Sequence, residues 1–347
     1  MGDRRLIDRL GQGAHLTAPE WRQLLTTDDA ESLAYLRDTA FEAKQPYYGN
    51  RVFIRGLIEI SSYCRRNCLY CGIRRDNAHA ERYRLTDDRI LERVAMGYDL
   101  GFRTFVLQGG EDPAFTDARL VRLIRTIKEA YPDAAVTLSL GERSDESYRQ
   151  LREAGADRYL LRHETASPEH FGRLHPKEQT WARRMRALHT LQTLGYQAGC
   201  GMMVGSPYQT VDDLAEDLMF MEAFQPKMVG MGPFIPHHDT PFKDQPAGSV
   251  DMTLRLIALI RCLLPKVLLP ATTALSTMDD DGYEKGIRWG ANVIMPNLTP
   301  DECREKYSLY DGKKAAGNES AEQLEDLKRR MRSIDHVIVV DRGDHPA

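Results

Sequence analysis

The strongest constraint on this chain is a rhythm. Between residues 51 and 295, short apolar segments of strand character alternate with amphipathic helical ones, eight strands in all. The strand segments are 52–60, 104–108, 135–140, 158–162, 199–204, 228–232, 267–273 and 292–295. Helical periodicity fills the gaps at 87–100, 116–131, 144–154, 181–194, 211–224, 252–264 and 280–289, with Thr86 as one N-cap. Continuous apolar strands joined by helices pair in parallel, with both sheet faces covered. Right-handed crossovers then leave an open doubly wound sheet or a closed (β/α)8 barrel. Eight units in about 250 residues favour the barrel.

Three regions follow. Residues 1–50 read as a helical extension, with helices near 17–25 and 28–44 and Thr17 and Asp28 as caps. Residues 51–300 form the barrel. Residues 301–347 form an extension that closes it, with a helix at 321–333 and an apolar run at 337–340 that is either an edge strand or a packed tail.

In a barrel of this kind, chemistry gathers at the carboxyl ends of the strands. The polar residues fall there: Glu59, Gln108, Glu111, Ser139, Glu142, Arg162, His163, Glu164, Thr272, Thr273 and Asn297. His163 alternates with Arg162 and Glu164, which turns it away from the lumen.

Composition excludes more than it specifies. Lys and Arg number 47 against 51 Asp and Glu, a net charge of −4, so bulk nucleic-acid binding is not expected. No apolar run reaches the length of a membrane span, and residues 1–5 lack the apolar core of a secretory leader, so a cytoplasmic location is expected. In a reducing compartment, clustered thiols mean metal or redox chemistry more often than disulfides.

Three of the six cysteines do cluster. Cys64, Cys68 and Cys71 have the spacing C-x3-C-x2-C directly after the first strand. Three thiolates on one loop can hold three irons of a cubane cluster and leave the fourth iron open. Structural zinc would need a fourth ligand, for which His79 is the nearest histidine. Cys200 and Cys262 read as buried apolar residues, and Cys303 stands alone in the tail.

The cysteine spacing, its place after a first barrel strand and the aromatic Tyr70 before the third cysteine resemble the radical S-adenosylmethionine (SAM) superfamily. Longer segments, at 64–77, 106–113, 136–142, 156–165, 230–237, 270–274 and 290–297, resemble its HydE family of [FeFe]-hydrogenase maturases. The resemblance implies one [4Fe-4S] cluster on Cys64, Cys68 and Cys71, whose open iron chelates SAM. It implies SAM contacts from Tyr70, Gln108, Glu111, Ser139, Glu164 and Arg184. It places Thr137, Arg162, Met228, Thr272, Thr273, Tyr307 and Tyr310 around the substrate, and it assigns no acid or base. The implied substrate is an iron complex carrying cysteine, carbon monoxide and cyanide, attacked by a 5′-deoxyadenosyl radical. The implied partners are the maturases HydG and HydF and a reducing electron donor. Some members of that family carry a second cysteine triad in the tail, which this chain lacks. The rival readings are a methylornithine synthase-like mutase, the more distant biotin synthase, and a non-enzymatic electron-transfer protein or iron carrier. Without metal, the loop at about 61–76 is expected to lose its order, since such a site and its ligand fold together.

Overall fold

The single strand expected at 52–60 is two strands in the computed structural model, which describes residues 2–313 and 323–346. The strands are β1 (Arg51–Ile54), β2 (Gly56–Ser61), β3 (Thr104–Gly109), β4 (Ala135–Ser139), β5 (Arg158–Leu160), β6 (Gln197–Cys200), β7 (Met203–Val204), β8 (Met228–Val229), β9 (Gly232–Pro233), β10 (Val293–Ile294) and β11 (Val337–Val339). The break at Arg55 lets one extended run serve two neighbourhoods: β2 pairs with β3, whereas β1 pairs with β10 and β11.

Six strands form one sheet in the order β2-β3-β4-β5-β6-β8, every pair parallel. Isolated parallel bridges run on from its edge strands: Met228 to Leu268, Pro270 to Val293, and Leu57 to Asn297. The expected strand at 267–273 supplies only such bridges. Pro270 has no N–H for a ladder, and the chain turns at Thr272 into the helix Thr273–Met278. The expected strands at 199–204 and 228–232 each break in two because the chains cross there. A Cβ on Gly201 would lie 1.9 Å from the Gly230 carbonyl oxygen.

The core is apolar along both faces of the central strands, with Phe105, Leu107, Val136 and Leu138 fully buried. The helices over it begin where short polar residues can cap them. Thr86, Thr116, Ser144, Thr180, Thr210 and Ser249 each accept a backbone N–H of the following turn. The first 50 residues hold three helices, Gly2–Gly11, Ala18–Thr26 and Ala30–Tyr48, one more than expected. Thr17 is the N-cap of the second helix as anticipated, in a capping box with Glu20, while Asp29 rather than Asp28 caps the third helix.

Of the expected tail helix, Leu324–Arg332 is helical, and positions 321 and 322 lie outside the described residues. The apolar run at 337–340 proves to be an edge strand, β11, parallel to β1. Residues 342–344 then cover the amino ends of β3, β5 and β6. Fully buried Arg158 donates to Thr104 Oγ1 at 2.9 Å, to the Arg342 carbonyl at 2.9 Å and to Asp344 Oδ1 at 2.5 Å. Gln197 donates to the same Asp344 oxygen at 2.8 Å. Against the cost of burial, Arg158, Gln197 and Arg342 hold the Asp344 carboxyl down at about 2. No helix among the described residues is long and apolar enough to cross a membrane.

Candidate active site

At the other end of the sheet, the loop after β2 carries Cys64, Cys68 and Cys71, all free and half-buried. The loop is tied from several sides. The Arg82 guanidinium donates to four of its carbonyls, at Ser62 (2.5 Å), Ile73 (2.9 Å), Arg74 (2.7 Å) and Asn77 (3.2 Å). Arg65 N–H donates to the Glu111 carbonyl at 3.1 Å, Leu69 N–H to Leu174 at 3.0 Å and Gly72 N–H to Leu309 at 2.9 Å. The turn after β3 passes directly beneath: a Cβ on Gly110 would lie 2.3 Å from the Tyr63 oxygen and 2.7 Å from Cys64 Cβ. Burial raises all three thiols, Cys68 to about 11, and Cys64 and Cys68 press Cys71 up further. Three thiols on one loop that resist ionisation alone are suited to a cationic metal centre, which favours their deprotonated form.

Beside the loop, Glu59, Gln108 and Ser139 stand in register across β2, β3 and β4. Glu111, expected as a SAM contact, is not on the wall of the cavity that opens beside the loop. Its carboxylate takes Arg65 Nε at 3.0 Å, Arg66 Nε at 2.6 Å and the Glu142 N–H at 2.8 Å. The loop's own arginines draw it under the loop. Arg184 is buried next to the loop, where it donates to Glu142 Oε1 at 2.8 Å and to the Arg162 carbonyl at 2.5 Å. Burial works against its charge, and Glu142, Tyr70 and Glu164 outweigh that cost, so the guanidinium stays firmly protonated.

Tyr70 lies on the cavity wall, oriented by His175. Its hydroxyl is 3.2 Å from His175 Nε2, while His175 Nδ1 is 3.0 Å from the Phe171 carbonyl. The carbonyl fixes the proton on Nδ1, so Nε2 accepts from the tyrosine. Burial, with help from Arg184, lowers His175 to about 3.

A cavity of about 230 Å³ runs from Tyr70 and Cys71 into the sheet. Thr137, Arg162, Met228, Thr272, Thr273 and Tyr310 line it, together with Gln108. Ser139, Glu164, Arg184 and Tyr307 are not on its wall; Tyr307 sits behind, with its hydroxyl within reach of Gln108. Two features went unread in the sequence. Arg55, between β1 and β2, lies on the wall and donates to Met228 Sδ at 2.9 Å. Lys313 reaches in from the closing segment and pairs with buried Glu59 at 2.5 Å. His163 faces away from the cavity as expected, 3.1 Å from buried Asp217. Cys200 and Cys262 are buried apolar residues, also as expected.

Several buried polar atoms at this site lack a hydrogen-bond partner among the described residues: Thr137 Oγ1, Thr272 Oγ1, Glu164 Oε2, and Nε and Nη2 of both Arg55 and Arg162. Arg162 Nη2 and Glu164 Oε2 lie 3.0 Å apart, close enough for an ion pair but misaligned for a hydrogen bond. Glu164 also has a left-handed backbone, with φ 67°. Such strain in a non-glycine residue concentrates at functional sites. Unfilled donors and acceptors beside three thiols fit a cluster together with a ligand bearing both ammonium and carboxylate.

A thiol triad above the carboxyl ends of parallel strands, opening on a polar cradle, is the arrangement of a radical SAM protein. The superfamily model described as "Radical SAM superfamily" matches residues 58–221. The chain is 45% identical to the "[FeFe] hydrogenase maturase subunit HydE" of Thermotoga maritima, over 90% of this chain and 89% of that one. It belongs to the radical SAM superfamily and, within it, to the family of that maturase. It is also 29% identical to the 3-methylornithine synthase of Methanosarcina barkeri, over 96% of this chain and 90% of that one. The crystal structure of methylornithine synthase (PylB) superposes with a TM-score of 0.82 at 26% identity, covering 96% and 97% of the two chains. The superfamily's cofactors are one [4Fe-4S] cluster and SAM.

Proposed function

We propose that this chain is a radical SAM enzyme of [FeFe]-hydrogenase maturation, built on a (β/α)8 barrel. The bridges at Leu268, Pro270 and Asn297 support closure of the sheet. In this reading residues 1–50 and 301–347 flank the barrel, and the protein works in the cytoplasm.

The cluster is held by Cys64, Cys68 and Cys71. When bound, it and SAM supply a 5′-deoxyadenosyl radical by one-electron reductive cleavage. Gln108, Ser139, Glu164 and Arg184 surround SAM, with Tyr70 held edge-on by His175. Glu111 acts one step back, by fixing Arg65 and Arg66. Arg55 and Arg162 offer unfilled donors to an anionic group deeper in the cavity, and Thr137 and Thr272 offer hydroxyls. The apolar wall, including Met228 and Met203, excludes water from a reactive intermediate. No side chain is placed as acid or base.

The observation that carries the substrate reading is the charge of the wall. Arg55 and Arg162 suit cyanide and carboxylate ligands of an iron complex with cysteine, carbon monoxide and cyanide. Arg162 faces Glu164 and Glu59 is neutralised by Lys313, so Arg55 carries the uncompensated charge, the wrong sign for the side-chain ammonium of lysine that a methylornithine synthase would need. HydG would supply the complex, HydF would receive the product and a reducing donor would feed the cluster. Barrel, partners and location rest on this reading as a whole.

The test is anaerobic reconstitution followed by incubation with SAM and dithionite. Formation of 5′-deoxyadenosine, stimulated by the iron complex and not by lysine, is expected. Intact cluster with no deoxyadenosine would favour an electron-transfer protein or iron carrier. A methylornithine product from lysine would assign the mutase instead.

A further inference from the structure

One side-chain cluster matches none of these roles. The turn after β9 carries His237, His238 and Asp239, and one ligand-capable atom of each lies within 4.8 Å of the other two. The two imidazoles are nearly parallel, with centroids 4.4 Å apart and planes at 18°. His238 is oriented from outside the group. Its backbone N–H donates to Asp311 Oδ2 at 2.9 Å, and its Nδ1 lies 2.6 Å from Asp311 Oδ1. That pairing puts the ring proton on Nδ1 and aims the Nε2 lone pair at Asp239 Oδ2, 3.3 Å away. In the neutral ring two acceptors then face each other, a contact that a second ring proton or a metal ion between them relieves. From the other side, His79 Nδ1 reaches Asp239 Oδ1 at 2.9 Å.

We propose that His238 and Asp239 bind one divalent transition-metal ion of the zinc or ferrous class, with His79 and His237 beside them; His237 Nδ1 accepts the Asp239 N–H at 3.1 Å and its Nε2 lies 3.2 Å from Ser308 Oγ, so it joins the ion only by giving up one of these bonds. Imidazole and carboxylate donors suit those ions. Asp311 is the positioning residue: a carboxylate on the distal nitrogen fixes the tautomer of a ligating histidine and raises its basicity. This site is separate from the cysteine triad and does not depend on the reading of the reaction.

Its place gives it a consequence. A Cβ on Gly72, the residue after Cys71, would lie 2.3 Å from His237 Cδ2 and 2.2 Å from the Ser308 oxygen. Asp311 N–H donates to the Pro236 carbonyl at 3.0 Å. An ion here therefore joins the turn at 236–239 to the end of the cysteine loop and to the segment that closes the cavity. It acts as a clamp on the rim.

The experiment uses the holoenzyme with its cluster intact, dialysed against zinc and then analysed for metal content and by X-ray absorption at the zinc edge. One zinc per chain with nitrogen and oxygen ligands is expected. His238→Ala and Asp239→Asn should each weaken retention at least about tenfold, and Asp311→Asn by about tenfold, with iron content unchanged. Should either inner variant fail to fold, the Asp311→Asn result decides, since that side chain lies at the surface. Absence of zinc, sulfur in its ligand shell, or equal retention in these variants would overturn the assignment.

Discussion

Arg55 and Met228 meet across the wall of the cavity, the guanidinium Nη1 donating to the thioether sulfur at 2.9 Å. A thioether is a weak acceptor for so strong a donor. Burial pushes the Arg55 guanidinium pKa well down, and two of its nitrogens have no partner among the described residues. The pair is therefore a cation waiting for an anion. Arg55→Met should leave thermal stability unchanged or raised, because an uncompensated buried charge is removed. Substrate-stimulated deoxyadenosine formation should fall by the worth of a buried charge pair, about 2–5 kcal/mol, while slow SAM cleavage without substrate persists. Undiminished stimulation in that variant would refute the role.

Gly110 is where strand and loop touch. Gly110→Ala forces its Cβ against the Tyr63 carbonyl and Cys64 Cβ, which displaces the first cluster ligand. Overpacking of this kind costs about 1–3 kcal/mol. Iron content after reconstitution should drop well below that of the parent protein, although no ligand is altered. A full complement of four irons per chain would show that the loop can move aside.

Arg82 ties both flanks of the loop, whereas 64–72 has backbone bonds to the rest of the protein from Arg65, Leu69 and Gly72 and depends more on the metal. Its four carbonyl contacts lie at Ser62 and at Ile73, Arg74 and Asn77, outside the cysteines. On removal of the cluster, hydrogen exchange should accelerate at 64–72 and much less at 73–77. Arg82→Ala should extend the acceleration to both. Equal protection of 64–72 with and without iron would mean that the loop is preformed.

His175 gives a pH dependence with a definite sign. Its pKa in the folded chain, about 3, lies below the ordinary 6.5. Between those values the unfolded chain binds a proton that the folded chain refuses, so this group's contribution is full above 6.5 and is lost as pH falls toward 3. His175→Phe should remove up to about 1.4 kcal/mol per pH unit of that slope, measured as urea stability at pH 7 and pH 5. An unchanged slope would assign the acid sensitivity elsewhere.

Much of this was legible in the residues. The strand positions follow from apolar runs, and the cysteine spacing announces its own chemistry. What escaped is informative. Arg55 sits inside an apolar run, and nothing local says that the run breaks there to serve two sets of neighbours. Glu111 has the composition of a ligand, and its occupation by Arg65 and Arg66 depends on how the loop folds back. The strand expected at 267–273 was overrun by the helix at Thr273–Met278, because threonine suits both a strand and a helix start. The short helix Pro168–Leu174 has too few turns to show a period. Lys313 is far in sequence from the Glu59 it meets.

The packing of residues 342–344 against Arg158 has a bearing on order. With the amino ends of β3, β5 and β6 under residues 342–344, that end of the sheet is covered, and the cavity's described wall includes Tyr70 and Cys71 on the cysteine side. If the proposed function holds, a compound that enters from the cysteine side to reach Arg55 is loaded before SAM, and its product leaves after the nucleoside. On that reading the packing of residues 342–344, away from the cysteines, bears on the order of arrivals and departures.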